Sequence, residues 1–447
     1  MLKNILKFYL FSIIVLYISL LFFVPNRMIF LYISLFFISL LYFYIIFVNY
    51  YKIKYNYLSI IFIFSLTFVA LFNFFSYYYT KSFLMFNTAD AVYYDIFSLK
   101  ISKMPFKNGL NYIFENFGID DAGVPLFIST CYRIIPSNLF VNFIYILCGL
   151  ITAFSLFHIS REFMSIKYAK LCTIAFALSS FLLYYHSSGL KESIMIMLII
   201  LFFDFYYQFI KTKKIKNLIF SILCASSFIL FRIPIIFFII AVICVNSLIG
   251  IKNIKIRIPL IILSLLSFLI AYPFFQYSIN RYLLSGDISK LLYIRETENM
   301  ITGGIRFTYI TNIVSQLIGP FPTIVPSGGK EALSFYAPGL LFRCFISIPF
   351  FLGINYAIKS KDKLIYPMIL FIIFEMVSLI IVIEGLELRK SMPHLPFIYI
   401  IAFYYMDKYD FKRLDVKKYF SSIALIFFLI LILVMVLVWN MRYTITI

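Results

Sequence analysis

The feature that most constrains this chain is the recurrence of apolar runs of about twenty residues, separated by short stretches that hold most of its lysines and arginines. About twenty apolar residues wound as an α-helix span the roughly 30 Å hydrocarbon core of a bilayer. Within lipid, only helices and closed barrels satisfy their own backbone polar groups. Barrel strands alternate apolar and polar residues over about ten positions, a pattern that runs such as 29–48 do not follow. The chain therefore reads as an all-α, polytopic integral membrane protein. Of its 447 residues, 63% are hydrophobic and 13% charged, against roughly 45–50% and 25% in soluble domains. That balance excludes a soluble multidomain enzyme, a secreted disulfide scaffold and a disordered regulator.

Apolar runs fall near 5–24, 28–49, 56–79, 137–157, 169–185, 192–210, 217–231, 233–250, 258–277, 337–358, 364–383, 396–406 and 420–439. They predict about thirteen transmembrane helices, within a range of about 11 to 14, in a single membrane domain over 1–447. The first run, long and without a small-residue cleavage pattern after it, reads as a signal anchor. The net charge of +20 would suggest nucleic acid in a soluble protein. Here the basic residues punctuate apolar runs, so they report topology, and no nucleic-acid partner is expected. Every second connection is short and basic and together these hold 22 of the 39 Lys and Arg residues. That asymmetry predicts a cytoplasmic N-terminus and places two long connections, 80–136 and 278–336, on the outer side with shorter ones at 186–191 and 384–395. The six cysteines, with no CxxC pair, read as small apolar fillers.

Function is sought where ionisable residues gather on the outer side. In NTADAVYYDIF, Asp90 and Asp95 flank Tyr93 and Tyr94, and Asp120 and Asp121 follow in NFGIDDAGVPLF. Such carboxylates suit a general base acting on a hydroxyl, or a divalent cation; the alternative is a solvated, capping role. In YYHSSGLKES, Lys191 and Glu192 follow His186, Ser187, Ser188 and Gly189. If Ser187–Gly189 precede a helix start, their N–H groups and Lys191 favour a phosphate. Arg232, in ILFRIPIIFF, interrupts a long apolar stretch beside Pro234; an arginine there is costly unless it snorkels or is paired, which makes it a functional candidate. In VIEGLELRKSMPHLPF, Glu384, Glu387, Arg389, Lys390 and His394 crowd one turn. Arg389 and Lys390 suit a pyrophosphate, as a fork and as a point charge, and His394 suits a base or an interface residue. The second long connection adds Arg281, Arg295, Glu296, Glu298, Arg306, Lys330 and Glu331, and its SGGK lacks the ending and strand of a nucleotide-binding loop. Asp204 and Glu375 are charges within apolar runs; the first reads as solvated near a helix end, the second as buried and partnered.

Together, the outer aspartate followed by tyrosine, then GVPLFIST, LFHISREF, LLYYHSSGLKES, FRIP and a basic turn ending in MPHLPF resemble membrane glycosyltransferases of the GT-C type. The chain looks closest to the Wzy-type O-antigen and capsule polymerases over about residues 88–405. Two features depart from that pattern. The first long connection follows the third apolar run rather than the first, and no arginine of the second long connection heads an Arg-x10-Gly motif.

The resemblance implies a bacterial inner-membrane enzyme that polymerises oligosaccharide repeat units carried on undecaprenyl phosphate or pyrophosphate at the periplasmic face. It implies the lipid bilayer, the lipid-linked glycan, a chain-length regulator and other assembly proteins as partners. On that reading Asp90, Glu192 and His394 are catalytic candidates and Lys191, Arg232, Arg389, Lys390 and Arg306 bind the pyrophosphate or glycan. No cofactor is expected, with a divalent cation as the open alternative. Two other readings are a transferase adding a single sugar from a polyprenyl-phosphate donor, and a polysaccharide flippase or transporter. Against the last, transporters carry repeated halves and broken helices near the bilayer midplane, whereas here most charges lie at the outer boundary.

Overall fold

The structure is a computed structural model that describes residues 1–51, 56–81, 83, 89–249, 254–282, 304–326, 331–381, 388–412 and 422–441. Among these residues the chain is helical, with no strand. Three long helices, α1 (Leu2–Leu20), α2 (Ile29–Tyr51) and α3 (Tyr57–Thr80), lead into three short ones, α4 (Ala89–Ser102), α5 (Phe106–Phe117) and α6 (Gly123–Ile134). Next come α7 (Asn138–Arg161), α8 (Ile166–Ala177), α9 (Ser180–Ser188), α10 (Glu192–Thr212), α11 (Ile215–Ser227), α12 (Pro234–Ile249) and α13 (Ile254–Tyr282). The C-terminal part holds α14 (Gly304–Ile318), α15 (Glu331–Ser334), α16 (Ala337–Phe345), α17 (Ser347–Ser360), α18 (Tyr366–Ile381), α19 (Leu388–Ser391), α20 (Leu395–Lys412) and α21 (Ser422–Met441).

This is the architecture of a polytopic helical membrane protein. Five stretches are long and apolar enough to cross a bilayer: Leu2–Phe23, Asn26–Tyr51, Tyr57–Thr80, Asn138–Arg161 and Glu192–Thr212. The pairs α8/α9 and α16/α17 qualify only jointly, bent by 48° and 42°, which brings the total to seven among the described residues. Among the described residues five to seven stretches thus meet the length and composition of a crossing, and about thirteen crossings remain the expectation from sequence. The runs near 217–231, 233–250, 258–277, 364–383 and 420–439 hold shorter apolar helical stretches: Ile215–Leu230, Pro234–Leu248, Arg257–Ile270, Tyr366–Ile381 and Leu425–Met441.

The bends have local causes. In α17, Pro349 lacks the N–H that would bond the carbonyl of Phe345, and its ring crowds that carbonyl, so the helix restarts at Ser347. Between α8 and α9 the backbone of Ser179 turns extended and its Oγ takes up the carbonyl of Phe176 at 2.6 Å. The two breaks pack on one another: Ser180 Oγ donates to Tyr336 O at 3.1 Å and accepts from Gly339 N at 2.9 Å. A Cβ on Gly339 would lie 2.8 Å from Ser180 N, so the approach requires glycine. Tyr9 and Tyr42 donate to the carbonyls of Pro338 and Ala175 at 2.8 and 2.7 Å, satisfying backbone groups at or beside the breaks, as a low-dielectric interior demands.

The buried centre is α20, whose residues from Leu395 to Met406 are all buried. Gly353 of α17 lets it approach, since a Cβ there would stand 2.5 Å from Ile401 O. One end of the bundle gathers several of the basic connections: Ser165 N bonds Asp407 at 2.8 Å, Lys211 pairs with Glu162 at 3.0 Å, Tyr207 donates to Leu364 O at 2.8 Å and Tyr404 to Asp362 at 3.0 Å. Connections that the sequence reads as lying on one side of the membrane thus touch.

The first long connection, 80–136, is largely folded. α5 buries Gly109, Ile113 and Phe117, one residue per turn on a single face, and α4 packs on α6. Of the second, 278–336, only 278–282, 304–326 and 331–336 are described.

Candidate functional site

At the opposite end, five separate stretches converge: the first turn of α4, the turn at Ile119–Asp121, the α9–α10 corner, the α11–α12 break and α19. Arg389 is the hub. Its Nη1 donates to Asp90 Oδ2 at 2.6 Å, and its Nε stands 3.0 Å from Glu192 Oε1. Asp90 is 46% exposed and Glu192 fully buried, so one guanidinium joins an accessible carboxylate to an inaccessible one. Glu192 occupies the first turn of α10, where the helix dipole favours a negative charge.

Beside this pair, Lys191 bonds Asp121, and Tyr94 OH donates to the same Asp121 oxygen at 3.4 Å. Burial pushes the Lys191 ammonium below its ordinary range, while Asp121 pulls it back up. Tyr94 is held well above the usual phenol range by burial and by Asp121. Arg232, 8% exposed, reaches Lys390 O through Nη1 at 3.4 Å. It acts electrostatically on Lys191 from one side and on Glu375 from the other. Lys191, Arg232 and Arg389 are thus neighbours although 41 and 157 residues separate them along the chain.

The corner that presents Lys191 differs from the sequence expectation. Ser187 and Ser188 end α9 rather than preceding α10, and Ser187 Oγ bonds Leu183 O within the helix at 2.9 Å. Their N–H groups are not offered to a phosphate, because 180–188 is helical and Gly189 closes it in the left-handed region at φ 68°. The corner is fixed from outside: Tyr145 OH donates to Gly189 O at 3.1 Å. Asn142, oriented by its hydrogen bonds, donates to Ser187 O at 3.1 Å and accepts from Asn73 at 3.2 Å. His186 faces Ser193 Oγ at 2.8 Å in space that Gly149 leaves open.

His394 does not join the ion network. It is 1% exposed and lies 3.2 Å from Glu375, because the turn before α20 folds inward and sets the imidazole against the middle of α18. Lys390 contributes its carbonyl to Arg232. Arg306 lies on α14, but its side chain is outside the described residues, as are Arg295, Glu296, Glu298, Lys330, Glu384 and Glu387. Asp204 pairs with His158 at 2.6 Å toward the basic end. Among the described residues no three His, Cys, Asp or Glu side chains form a metal-binding group, and all six cysteines are free.

Sequence reasoning missed Arg343. It is 1% exposed and donates to Ile318 O at 3.1 Å and Leu317 O at 3.4 Å, closing the C-terminus of α14. The signal was the one that exposed Arg232, an arginine inside an apolar run.

An apolar groove of about 420 Å³ adjoins the cluster, lined by Gly123, Phe127, Cys131, Phe140, Leu230 and Phe231 among others. Its lining includes Phe231, the residue before Arg232, and Gly123, two residues after Asp121. No family model matches the chain, and no curated protein or solved structure is similar enough to count as a match.

Proposed function

We propose that the protein is a bacterial inner-membrane glycosyltransferase of surface-polysaccharide assembly, with a cytoplasmic N-terminus, that polymerises repeat units carried on undecaprenyl pyrophosphate at the periplasmic face. The observation that supports this reading is the meeting of Lys191, Arg232 and Arg389 beside segments that line an apolar groove. A polyprenyl pyrophosphate has that composition: an apolar tail joined to a multiply charged head. Cations aimed at the head stabilise the charge that grows as the glycosidic bond to phosphate breaks. On this reading Asp90, the accessible carboxylate, takes the proton of an acceptor hydroxyl. Glu192, buried behind Arg389, holds the guanidinium in place. His394 acts through Glu375 rather than on substrate. A chain-length regulator and other assembly proteins complete the expected partners.

Purified protein given a synthetic repeat unit on undecaprenyl pyrophosphate tests the reading. A ladder of products supports polymerisation, a single addition supports the decorating transferase, and no bond formation refutes both. Arg232→Ala and Lys191→Ala are each expected to abolish the ladder while the protein stays in the membrane.

The two broken spans favour a second reading, a flippase or transporter, since interrupted helices packed on one another are a transporter device. Movement of the lipid-linked glycan across proteoliposomes without new glycosidic bonds would select it.

A further inference from the structure

Next to the ion hub lies a buried acid–base pair that the proposed chemistry does not place on substrate. Glu375, on α18, and His394, in the turn before α20, are 3% and 1% exposed, and Glu375 Oε2 stands 3.2 Å from His394 Nδ1. No hydrogen bond from another group reaches either atom. Their link to the hub is Arg232, 8% exposed, whose one hydrogen bond among the described residues is the 3.4 Å contact with Lys390 O. Lys191 has Asp121 as its counter-ion, and Arg389 has Asp90 and Glu192. Arg232 alone of the three has no carboxylate within ion-pair distance among the described residues.

The charged groups that act on Glu375 are His394 and Arg232. Of the elements packed on α18, α12 brings no charged residue and only Cys244 as a titratable one. α14 sets the Asn312 amide against the carbonyls of Leu379 and Ile380 and bonds Ser391 through Gln316; the side chains of its Arg306 and Tyr309 are outside the described residues. α19 brings Arg389, held by Asp90 and Glu192, and Lys390. α20 brings Tyr399, which is coupled to Arg343, and its Asp407 lies at the basic end.

A carboxylate withdrawn from water needs a neutralising charge, and for Glu375 that charge is Arg232. An anionic head group that settles on Arg232 takes the same charge for itself. Two anions then share one guanidinium, which low-dielectric surroundings make unfavourable. The nearest remedy is a proton, because imidazole is the side chain whose ordinary proton affinity falls in the physiological range. With a proton from water on the imidazole, Glu375 and His394 together carry no net charge, so anion and proton enter with no change in buried charge. We infer that the Glu375–His394 pair takes up one proton from water when an anionic head group binds at Arg232. Each ligand then raises the affinity for the other. The inference rests on the reading of the hub as a site for a lipid-linked phosphate or pyrophosphate. Glu375 and His394 are positioning residues for that site, setting its affinity and pH dependence without touching substrate.

The test is calorimetric titration of the full-length protein in detergent with farnesyl pyrophosphate, in buffers of different ionisation heat, so that protons taken up on binding are counted. Glu375→Gln removes the acid and keeps its shape, and the probe's own titration is common to both proteins. The wild type should take up as much as about one proton more than Glu375→Gln between about pH 5 and about pH 8. Its affinity should fall by up to about tenfold more per unit of rising pH. At the upper end of that range Glu375→Gln should bind the more tightly, because Arg232 no longer serves a second anion. If Glu375→Gln does not fold, Glu375→Gln/His394→Gln, whose amides can pair, carries the comparison. Equal proton uptake in wild type and variant overturns the inference and leaves the head-group reading standing. No binding by the wild type at any pH refutes that reading, and this inference with it.

Discussion

Arg389→Met removes the cation shared by Asp90 and Glu192 while keeping most of the side-chain volume. Glu192 is fully buried and Arg389 27% exposed. Removing one partner of a buried ion pair costs about 3–5 kcal/mol, since the other charge is stranded. Water reaching Arg389 places the expectation at the low end, about 3 kcal/mol. Asp90 is nearly half exposed, so Asp90→Asn should cost no more than about 1 kcal/mol. The double variant Arg389→Met/Glu192→Gln should recover most of the loss, because a neutral amide no longer needs the guanidinium. Unfolding of the wild type, Arg389→Met, Glu192→Gln and the double variant in one detergent measures the cycle, with Asp90→Asn beside it. If Arg389→Met costs no more than Asp90→Asn, or if the double variant is no better than Arg389→Met, then Glu192 does not depend on Arg389 and the hub is misassigned.

Other expectations follow from single contacts. Arg343→Met leaves the carbonyls of Leu317 and Ile318 without their donor and should lower stability by about 1–3 kcal/mol for each; unchanged unfolding would refute its closing role. Gly353→Ala forces a Cβ to within 2.5 Å of Ile401 O, so α17 and α20 must separate at a cost of about 1–3 kcal/mol, read as a lower unfolding midpoint. The lowered Lys191 proton affinity means that the unfolded chain binds more protons between the folded value and about 10.4. Stability should therefore rise with pH across that window relative to Lys191→Met, and a difference that falls or stays flat contradicts it. Lys361, exposed and left-handed at φ 53°, should tolerate Lys361→Gly with a gain of about 0.5–1 kcal/mol; a loss would show that the side chain does more than end α17.

The residues that make the hub were legible one at a time, because a lysine or arginine in a short connection between apolar runs is conspicuous. Lys191, Arg232 and Arg389 stood out for that reason, and Glu192 as the acid next to Lys191. Their convergence was not legible, since it depends on how helices distant in the chain pack. Nor was the role of Asp121, which reads as one of several outer aspartates until Lys191 is seen against it. Hydropathy reports composition and not continuity, so 169–185 reads as one crossing although Ser179 interrupts it without proline or glycine. Pro349 gave a signal within 337–358 that the apolar run masked. His394, beside a basic turn, reads as a base or an interface residue; only the inward path of the chain into α20 sets it against Glu375. The helices of 80–136 escaped a hydropathy reading because α5 is amphipathic and too short to span.

The most direct test of the proposed function is a gel of surface polysaccharide from the native host with the gene deleted and then restored. The account predicts that deletion collapses the chain-length ladder to one repeat unit per lipid anchor and that restoration rebuilds it. A full ladder in the deletion strain would contradict it.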